Sequence, residues 1–206
     1  MMYPQSTPSQ VEGIRIEPAT PAQADDLVRL IMTAMTADCC LYYAGPGRTL
    51  EDFARVLGRL VREGASQYSY RNTIVAIDIA SGCVVGACVA YDGACLHALR
   101  EAFFRACREE IGREFDAFAD ETGPGEYYVD SLAVRSDYRR RGIASALLRA
   151  TALRAEALGL PLGLLVDQGN PGAERMYTAL GFRRVGPGSW GGHPMWHLVW
   201  RNVQGK

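Results

Sequence analysis

The 206-residue sequence contains almost no lysine: Lys206 is the only one, and every other basic residue is arginine. The chain therefore has almost no lysine amine of its own to modify. Acidic and basic residues nearly balance, with 23 Asp and Glu against 22 Lys and Arg, and the formal net charge is −1. This balance argues against an overall electrostatic grip on nucleic acid or on an anionic membrane, and we expect neither as a partner.

Long hydrophobic runs are also missing, since no apolar stretch approaches the ~20 residues that a membrane-spanning helix needs. Residues 1–10 are polar and contain neither the basic nor the apolar region of a secretory signal. We therefore expect a polar tail there and a cytoplasmic protein. The six cysteines include no Cys-x-x-Cys pair, so we interpret them as small core residues and expect no metal.

The remaining pattern alternates between strand-like and helix-like periods. We predict strands over 11–17, 73–80, 83–91, 127–134, 162–166, 182–185 and 195–200, and helices over 20–39, 50–62, 96–118, 144–158 and 170–180. Hairpins and crossover units both occur in this order, which is typical of an α/β (α+β) domain with a central mixed sheet flanked by helices on both faces. We expect a single such domain over residues 11–206.

The junction after the strand at 127–134 has the chemistry of an anion site. Arg139, Arg140, Arg141, Gly142, Ile143 and Ala144 lead directly into a helix. The first N–H groups of a helix lack internal partners and carry partial positive charge, while a glycine lets the backbone approach a phosphate. A charged turn that starts a solvent-facing helix would have the same six residues.

Two motifs in the correct order resemble the GCN5-related N-acetyltransferase (GNAT) superfamily. Leu132-Ala133-Val134 followed by Arg139-x-x-Gly142-x-Ala144 resembles its motif A. The segment from Leu165 to Ala173, followed by Tyr177-x-x-x-Gly181-Phe182, is similar to motif B. The resemblance covers nearly the whole chain except the tail and residues 93–126, an enlarged helical segment.

The resemblance implies that acetyl-CoA binds this region as a co-substrate. The pyrophosphate would lie on the backbone of Arg139, Arg140, Arg141, Gly142, Ile143, Ala144 and Ser145. The pantetheine arm would pair with Leu132, Ala133 and Val134 like an added strand, which requires an unpaired strand edge. The Leu132 amide would polarise the thioester carbonyl. Asn170 would add its side-chain amide, although a plain helix N-cap explains this residue equally well.

Catalysis of amine acetylation requires a proton donor and a proton acceptor. Tyr177 matches the general acid of the family, while its alternative role is to pack its ring against the core. Asp130 is the candidate general base, because a period of two places it on the same strand face as Leu132. It could instead cap a backbone group, and Glu126, Tyr128 and a water chain are alternative bases.

These features together predict an acetyl-CoA-dependent N-acetyltransferase that transfers acetyl directly to a primary amine. The acceptor, a small molecule or a peptide, is not identified by the sequence, and a homodimer is left open. The alternative is a non-catalytic acyl-CoA-binding module on the same fold.

Three other patterns are rejected as sites. Gly186 to Gly191 fits Gly-x-Gly-x-x-Gly, but no helix follows it, and we interpret it as a loop. His193 and His197 would stand ~13 Å apart on a strand and could not share a metal. Phe103, Phe104, Phe115 and Phe118 form a core cluster or, alternatively, a substrate wall.

Overall fold

The computed structural model describes residues 11–115 and 119–201, and the predicted tail, Phe118 and Lys206 lie outside these residues. The strands are β1 (Ile14–Pro18), β2 (Thr73–Asp78), β3 (Val84–Asp92), β4 (Tyr127–Val134), β5 (Leu162–Asp167), β6 (Arg183–Trp190) and β7 (His193–Trp200). The helices are α1 (Ala24–Met35), α2 (Ala37–Ala44), α3 (Leu50–Arg62), α4 (Leu96–Ile111), α5 (Ile143–Ala157) and α6 (Pro171–Ala179).

All seven strands form one sheet in the order β1-β2-β3-β4-β5-β7-β6. Neighbouring strands are antiparallel except β4 and β5, which run parallel. The predicted mixed sheet is therefore confirmed. A parallel pair at its centre requires a crossover connection, and α5 provides it.

Helices cover both faces of the sheet, as predicted. On one face, α1 to α4 bury a cluster that includes Leu27, Phe53 and Leu57. On the other face, α5 buries Ile143 and Leu147 against the sheet, with α6 packed beside it. The two layers hold the central strands between them, so the ends of β4 and β5 are fixed in position.

The helix predicted over 20–39 is interrupted at Thr36 and is therefore not one continuous helix. The backbone of Thr36 has φ +70°, a value outside the helical region, and α1 ends at Met35 just before it. The chain then continues in α2, which is bent by 102° from the preceding helix. No single helix among the described residues is long and apolar enough to cross a membrane, although this bent pair together would reach that length.

The helix predicted over 96–118 is also too long. It ends at Ile111 because Gly112 adopts a left-handed conformation with φ +68°, and its N–H bonds back to the carbonyl of Arg108. Phe115 follows this cap yet still packs against Phe103, with ring centroids 5.7 Å apart. The apolar period therefore continued beyond the helix because a loop residue also points into the core.

The loop predicted at Gly186–Gly191 is wrong for most of its length. β6 extends to Trp190 and pairs with β7 in an antiparallel hairpin. Pro187 is tolerated because β6 is the edge strand of the sheet. A strand rather than a helix follows, as the rejection of a dinucleotide motif required.

Candidate functional site

The two central parallel strands separate part-way along their length. β4 and β5 pair only from Tyr127 opposite Leu162 to Val129 opposite Leu164. Beyond that point, Leu132 to Val134 still pair with β3 on one side. No strand in the described part of the chain pairs with their other edge. This is the unpaired edge that an added pantetheine strand requires.

The open edge leads directly into a loop that exposes backbone N–H groups. Arg140 has φ +64° and Gly142 has φ +80°, both in the left-handed region. α5 begins at the next residue, and its first main-chain bond joins Ala146 N to Gly142 O at 3.0 Å. The amides of the first helical turn therefore have no partner within the helix, and the positive end of the helix dipole lies beside them.

The three arginines of this loop have different positions. Arg139 donates to Val134 O at 3.2 Å and ties the loop to the strand, while Arg140 is exposed at the cavity. Arg141 turns away, donating to Asp137 O at 3.0 Å with its guanidinium over the Tyr138 ring. It is not among the residues that line the cavity. The Arg141 side chain is therefore directed away from the cavity, while its backbone remains in the loop where the sequence predicts the pyrophosphate.

One cavity of about 1500 Å³ joins these features. It runs from the start of α5, through the gap between β4 and β5, to the junction of α1 and α2 and the β6–β7 hairpin. Arg139 and Arg140 line it beside the α5 start, and Arg175, which sequence reasoning missed, lines it from α6. Asp38, at the start of α2, and Asp130 contribute carboxylates on the opposite face of the sheet. The cavity thus joins an end lined by arginines to an end lined by carboxylates.

Tyr177 lines this cavity from α6 and is half-buried. Its ring packs edge-to-face on Phe182 with centroids 5.7 Å apart. Burial first, and then the nearby Cys88 thiol, raise the pKa of the Tyr177 phenol above its ordinary value. The hydroxyl is therefore protonated at neutral pH, as a proton donor must be. The ring packing and the cavity position coexist in one side chain.

Asn170 lines the cavity at the start of α6. Its Oδ1 accepts a hydrogen bond from Ala173 N at 3.0 Å, and Pro171 occupies the first helical position. This is the N-cap arrangement that the sequence left as one of two explanations. The cap fixes the start of the helix that carries Tyr177.

A β-bulge determines where Asp130 points. Val89 of β3 pairs with Ser131 and the next residue, Ala90, pairs with Val129, so Asp130 is an extra residue in β4. The bulge interrupts the period of two. Leu132 packs against the α5-face cluster, whereas Asp130 hydrogen-bonds to Tyr91 on the other face. The expectation that Asp130 and Leu132 share a face is therefore wrong.

The Asp130 carboxylate accepts two hydrogen bonds from side-chain hydroxyls rather than from the backbone. Tyr91 Oη donates to Oδ2 at 3.1 Å and Ser131 Oγ donates to Oδ1 at 2.9 Å. Burial and the negative charge of Glu121 raise the pKa of Asp130 to about 7. A carboxylate with this pKa can take and release a proton near neutral pH.

The alternative bases are placed less favourably. Glu126 does not line the cavity: its Oε2 lies 2.8 Å from His197 Nε2, and its Oε1 accepts from Thr122 Oγ1 at 2.6 Å. Tyr128 lines the cavity, but burial raises the pKa of its phenol well above the ordinary value.

The histidine His193 of β7 lies 3.9 Å from a carboxylate oxygen of Asp167 at the end of β5. Among the described residues, no three metal-binding side chains come together.

A family model described as the acetyltransferase (GNAT) family matches residues 59–182, which is more than half of the chain. The chain belongs to the GNAT family. The resemblance that the two motifs indicated is thereby confirmed, and so is the fold that it implied. The match spans the unpaired β4 edge, the loop before α5, and α6 with Tyr177.

Individual relatives agree with this assignment. A segment of 62 residues is 40% identical to GCN5-related N-acetyltransferase 4, chloroplastic, of Arabidopsis thaliana; it covers 30% of this chain and 21% of that protein. The match thus spans about a fifth of the relative's length. A crystal structure described as an acetyltransferase is 28% identical with a TM-score of 0.75, covering 90% of this chain and 98% of that one. Arabidopsis thaliana NAA60, solved in complex with acetyl-CoA, is 20% identical with a TM-score of 0.58 over 91% and 98% of the chains.

Proposed function

We propose that this GNAT protein is an acetyl-CoA-dependent N-acetyltransferase that transfers acetyl directly to a primary amine. The observation that carries the proposal is the unpaired edge of Leu132–Val134, which runs straight into the exposed amides at the start of α5. The NAA60 structure with acetyl-CoA, which shares the fold, supports the same cofactor here.

The residues present suit this co-substrate. The edge of β4 offers backbone donors and acceptors to an extended amide chain, and the α5 start offers N–H groups and two arginines to phosphate oxygens. When bound, acetyl-CoA supplies the activated thioester. The Leu132 amide would hydrogen-bond to the carbonyl that accumulates negative charge.

Asp130 and Tyr177 divide the proton transfers between them. An amine with a pKa near ~10 is about a thousandfold protonated at pH 7, so it must lose a proton before it can attack. Asp130 accepts that proton, directly or through water, because its pKa of about 7 lies near the working pH. Tyr177 is the proton donor to the departing thiolate, since its phenol remains protonated.

The acidic end of the cavity favours a positively charged acceptor. Asp38 and Asp130 line it on the α2 side, and Tyr128 and Trp190 provide aromatic surface. An ammonium group interacts favourably with both kinds of surface.

We further propose that the protein acts in the cytoplasm, where its six free cysteines would stay reduced.

Acetyl-CoA turnover over a panel of primary amines and peptides, measured as free thiol release, tests the activity. We expect turnover with at least one cationic amine. Acetyl-CoA binding without turnover on any amine would favour a non-catalytic binding module instead.

The cofactor site has its own test in a matched pair of glycine variants. Gly142 and Gly159 both have positive φ, +80° and +69°, and a Cβ at either meets no close contact. Each Gly→Ala change should cost the same backbone strain, about 1–2 kcal/mol. Only Gly142→Ala should weaken acetyl-CoA binding in calorimetry, because its methyl group stands where phosphate approaches. Equal affinities of the two variants would contradict the proposed site.

A further inference from the structure

A buried hydrogen-bond network extends from Asp130 away from the cavity. Tyr91 Oη lies 3.1 Å from Asp130 Oδ2 and 3.3 Å from Glu121 Oε1. Gln67 Nε2 donates to Tyr91 Oη at 3.1 Å and to Glu121 Oε1 at 3.0 Å. Tyr91 is 2% exposed and Glu121 is 7% exposed, so bulk water does not replace these bonds.

The Tyr91 hydroxyl has a single proton but two carboxylates within reach. Since Gln67 donates to its oxygen, the hydroxyl can donate to only one of Asp130 and Glu121 at a time. When Asp130 is ionised, the hydroxyl donates to it, because its oxygen is the nearer acceptor, at 3.1 against 3.3 Å, and the Glu121 charge is already paired with Arg100. When Asp130 takes up a proton, the hydroxyl is released to Glu121.

The enlarged segment of the chain supplies the charges of this network. Arg100 of α4, 2% exposed, pairs with Glu121 and donates to Asp120 Oδ1 at 2.7 Å. Its guanidinium favours the ionised form of Glu121, opposing the burial that raises the pKa of that carboxyl. Residues 93–126 therefore place a carboxylate behind Asp130.

The other titratable groups that act on Asp130 remain neutral near pH 7. Cys39 and Tyr43 of α2, Tyr68 and Cys88, and Tyr128 beside it all interact electrostatically with Asp130. Burial raises the pKa of each of these thiols and phenols, to about 12 for Cys39 and Cys88. Among the described residues, Glu121 and Arg100 are thus the charged groups that act on Asp130 most strongly.

We propose that Tyr91 and Glu121 are positioning residues that hold Asp130 ready to accept the amine proton, with the Tyr91 hydroxyl bonded to Asp130 while that carboxylate is ionised. This inference rests on the proposed function, in which Asp130 is the base. Glu121 destabilises the Asp130 charge and Tyr91 stabilises it, so the two residues act in opposite senses on one group.

Two variants test this opposition. Glu121→Gln removes the repelling charge, so Asp130 should titrate about one pH unit lower; Tyr91→Phe removes the donor, so it should titrate about one unit higher. The pKa of Asp130 is measured by NMR from its side-chain carboxyl ¹³C signal, which is assigned as the signal that disappears in Asp130→Asn. It is measured independently from the acidic limb of the pH profile of kcat/KM. Tyr127→Phe is the control, because it removes another buried tyrosine hydroxyl, which donates to Ala90 O at 3.1 Å. It should leave the titration unchanged.

The outcomes separate this inference from the function on which it rests. Shifts in the same direction, or none, in folded variants would overturn the inference even if turnover depends on Asp130. The ¹³C titration needs no turnover, so opposite shifts in a protein that acetylates no amine would remove the proposed function and with it the catalytic role of the network. If Glu121→Gln does not fold, Tyr91→Phe alone decides, and an unmoved or lowered titration overturns the inference.

Discussion

Asp130→Asn should make the protein more stable at alkaline pH, because it removes a buried charge that folding has to accommodate. The amide is nearly the same size as the carboxyl group. Its oxygen can accept from one of the two hydroxyls that bond to separate Asp130 oxygens, Tyr91 at 3.1 Å and Ser131 at 2.9 Å, and its NH2 group can donate to the oxygen of the other hydroxyl. The variant therefore changes the charge more than the packing.

The magnitude follows from the pKa of Asp130. Folding raises it from 3.8 to about 7, with burial as the main cause. At about 1.4 kcal/mol per pH unit, this corresponds to an upper limit of about 4 kcal/mol. Because the pKa of Asp130 is higher in the folded protein than in the unfolded chain, the folded state binds the proton more tightly. Protonation of Asp130 therefore stabilises the fold fully below pH 3.8, and this contribution is lost as the pH rises through 7. Asp130→Asn should thus match the wild type at acidic pH and exceed it above pH 7.

Urea unfolding at pH 4 and at pH 8.5 measures the difference directly. We expect similar free energies of unfolding at the lower pH and a more stable variant at the higher one. Cavity water would reduce the gain below its upper limit without changing its sign. An Asp130→Asn protein that is equally or less stable than the wild type at pH 8.5 would refute the argument that Asp130 is a destabilised buried carboxylate.

Two further variants test single contacts. Tyr177→Phe keeps the ring contact with Phe182 but removes the hydroxyl. If this hydroxyl is the proton donor, kcat should fall by roughly 10²–10⁴-fold while the affinity for acetyl-CoA stays unchanged. Wild-type turnover in this variant would exclude the acid role. Gly93→Ala would place a Cβ 2.2 Å from the carbonyl oxygen of Gly123, so the free energy of unfolding should fall by about 1–3 kcal/mol. Gly186→Ala, where a Cβ meets nothing within 4 Å, is the control; an equal loss of stability there would contradict the steric explanation.

Local signals predicted most of the secondary structure correctly. The helix at Leu50–Arg62 has the predicted bounds, since an unbroken amphipathic period marks it. The strand at Tyr127–Val134 also has the predicted bounds, although a bulge interrupts its period of two. The errors occur where one residue overrides the period. Thr36 breaks a helix with a left-handed backbone, and Gly112 ends another while the apolar pattern continues to Phe115.

The candidate site was predictable where backbone chemistry defines it. The run from Arg139 to Ala144 indicated a glycine turn directly before a helix start, and the structure has this arrangement at Gly142 and α5. The direction of the Asp130 side chain was not predictable, since the bulge appears only when β4 pairs with β3. The contacts of the enlarged segment likewise appear only in the fold, because Arg100 pairs with Glu121, 21 residues away, and Glu121 meets Tyr91, 30 residues away.

The sequence by itself indicated the family, most of the order of the elements and the loop before α5 where acetyl-CoA is proposed to bind. These depend on neighbours along the chain: caps, periods and glycines act over three or four residues. Only the tertiary structure decided that β4 and β5 separate after Val129, that Arg141 faces away from the cavity, and that Asp130 titrates near neutral pH. These properties depend on burial and on charges from distant segments, and no local pattern encodes them.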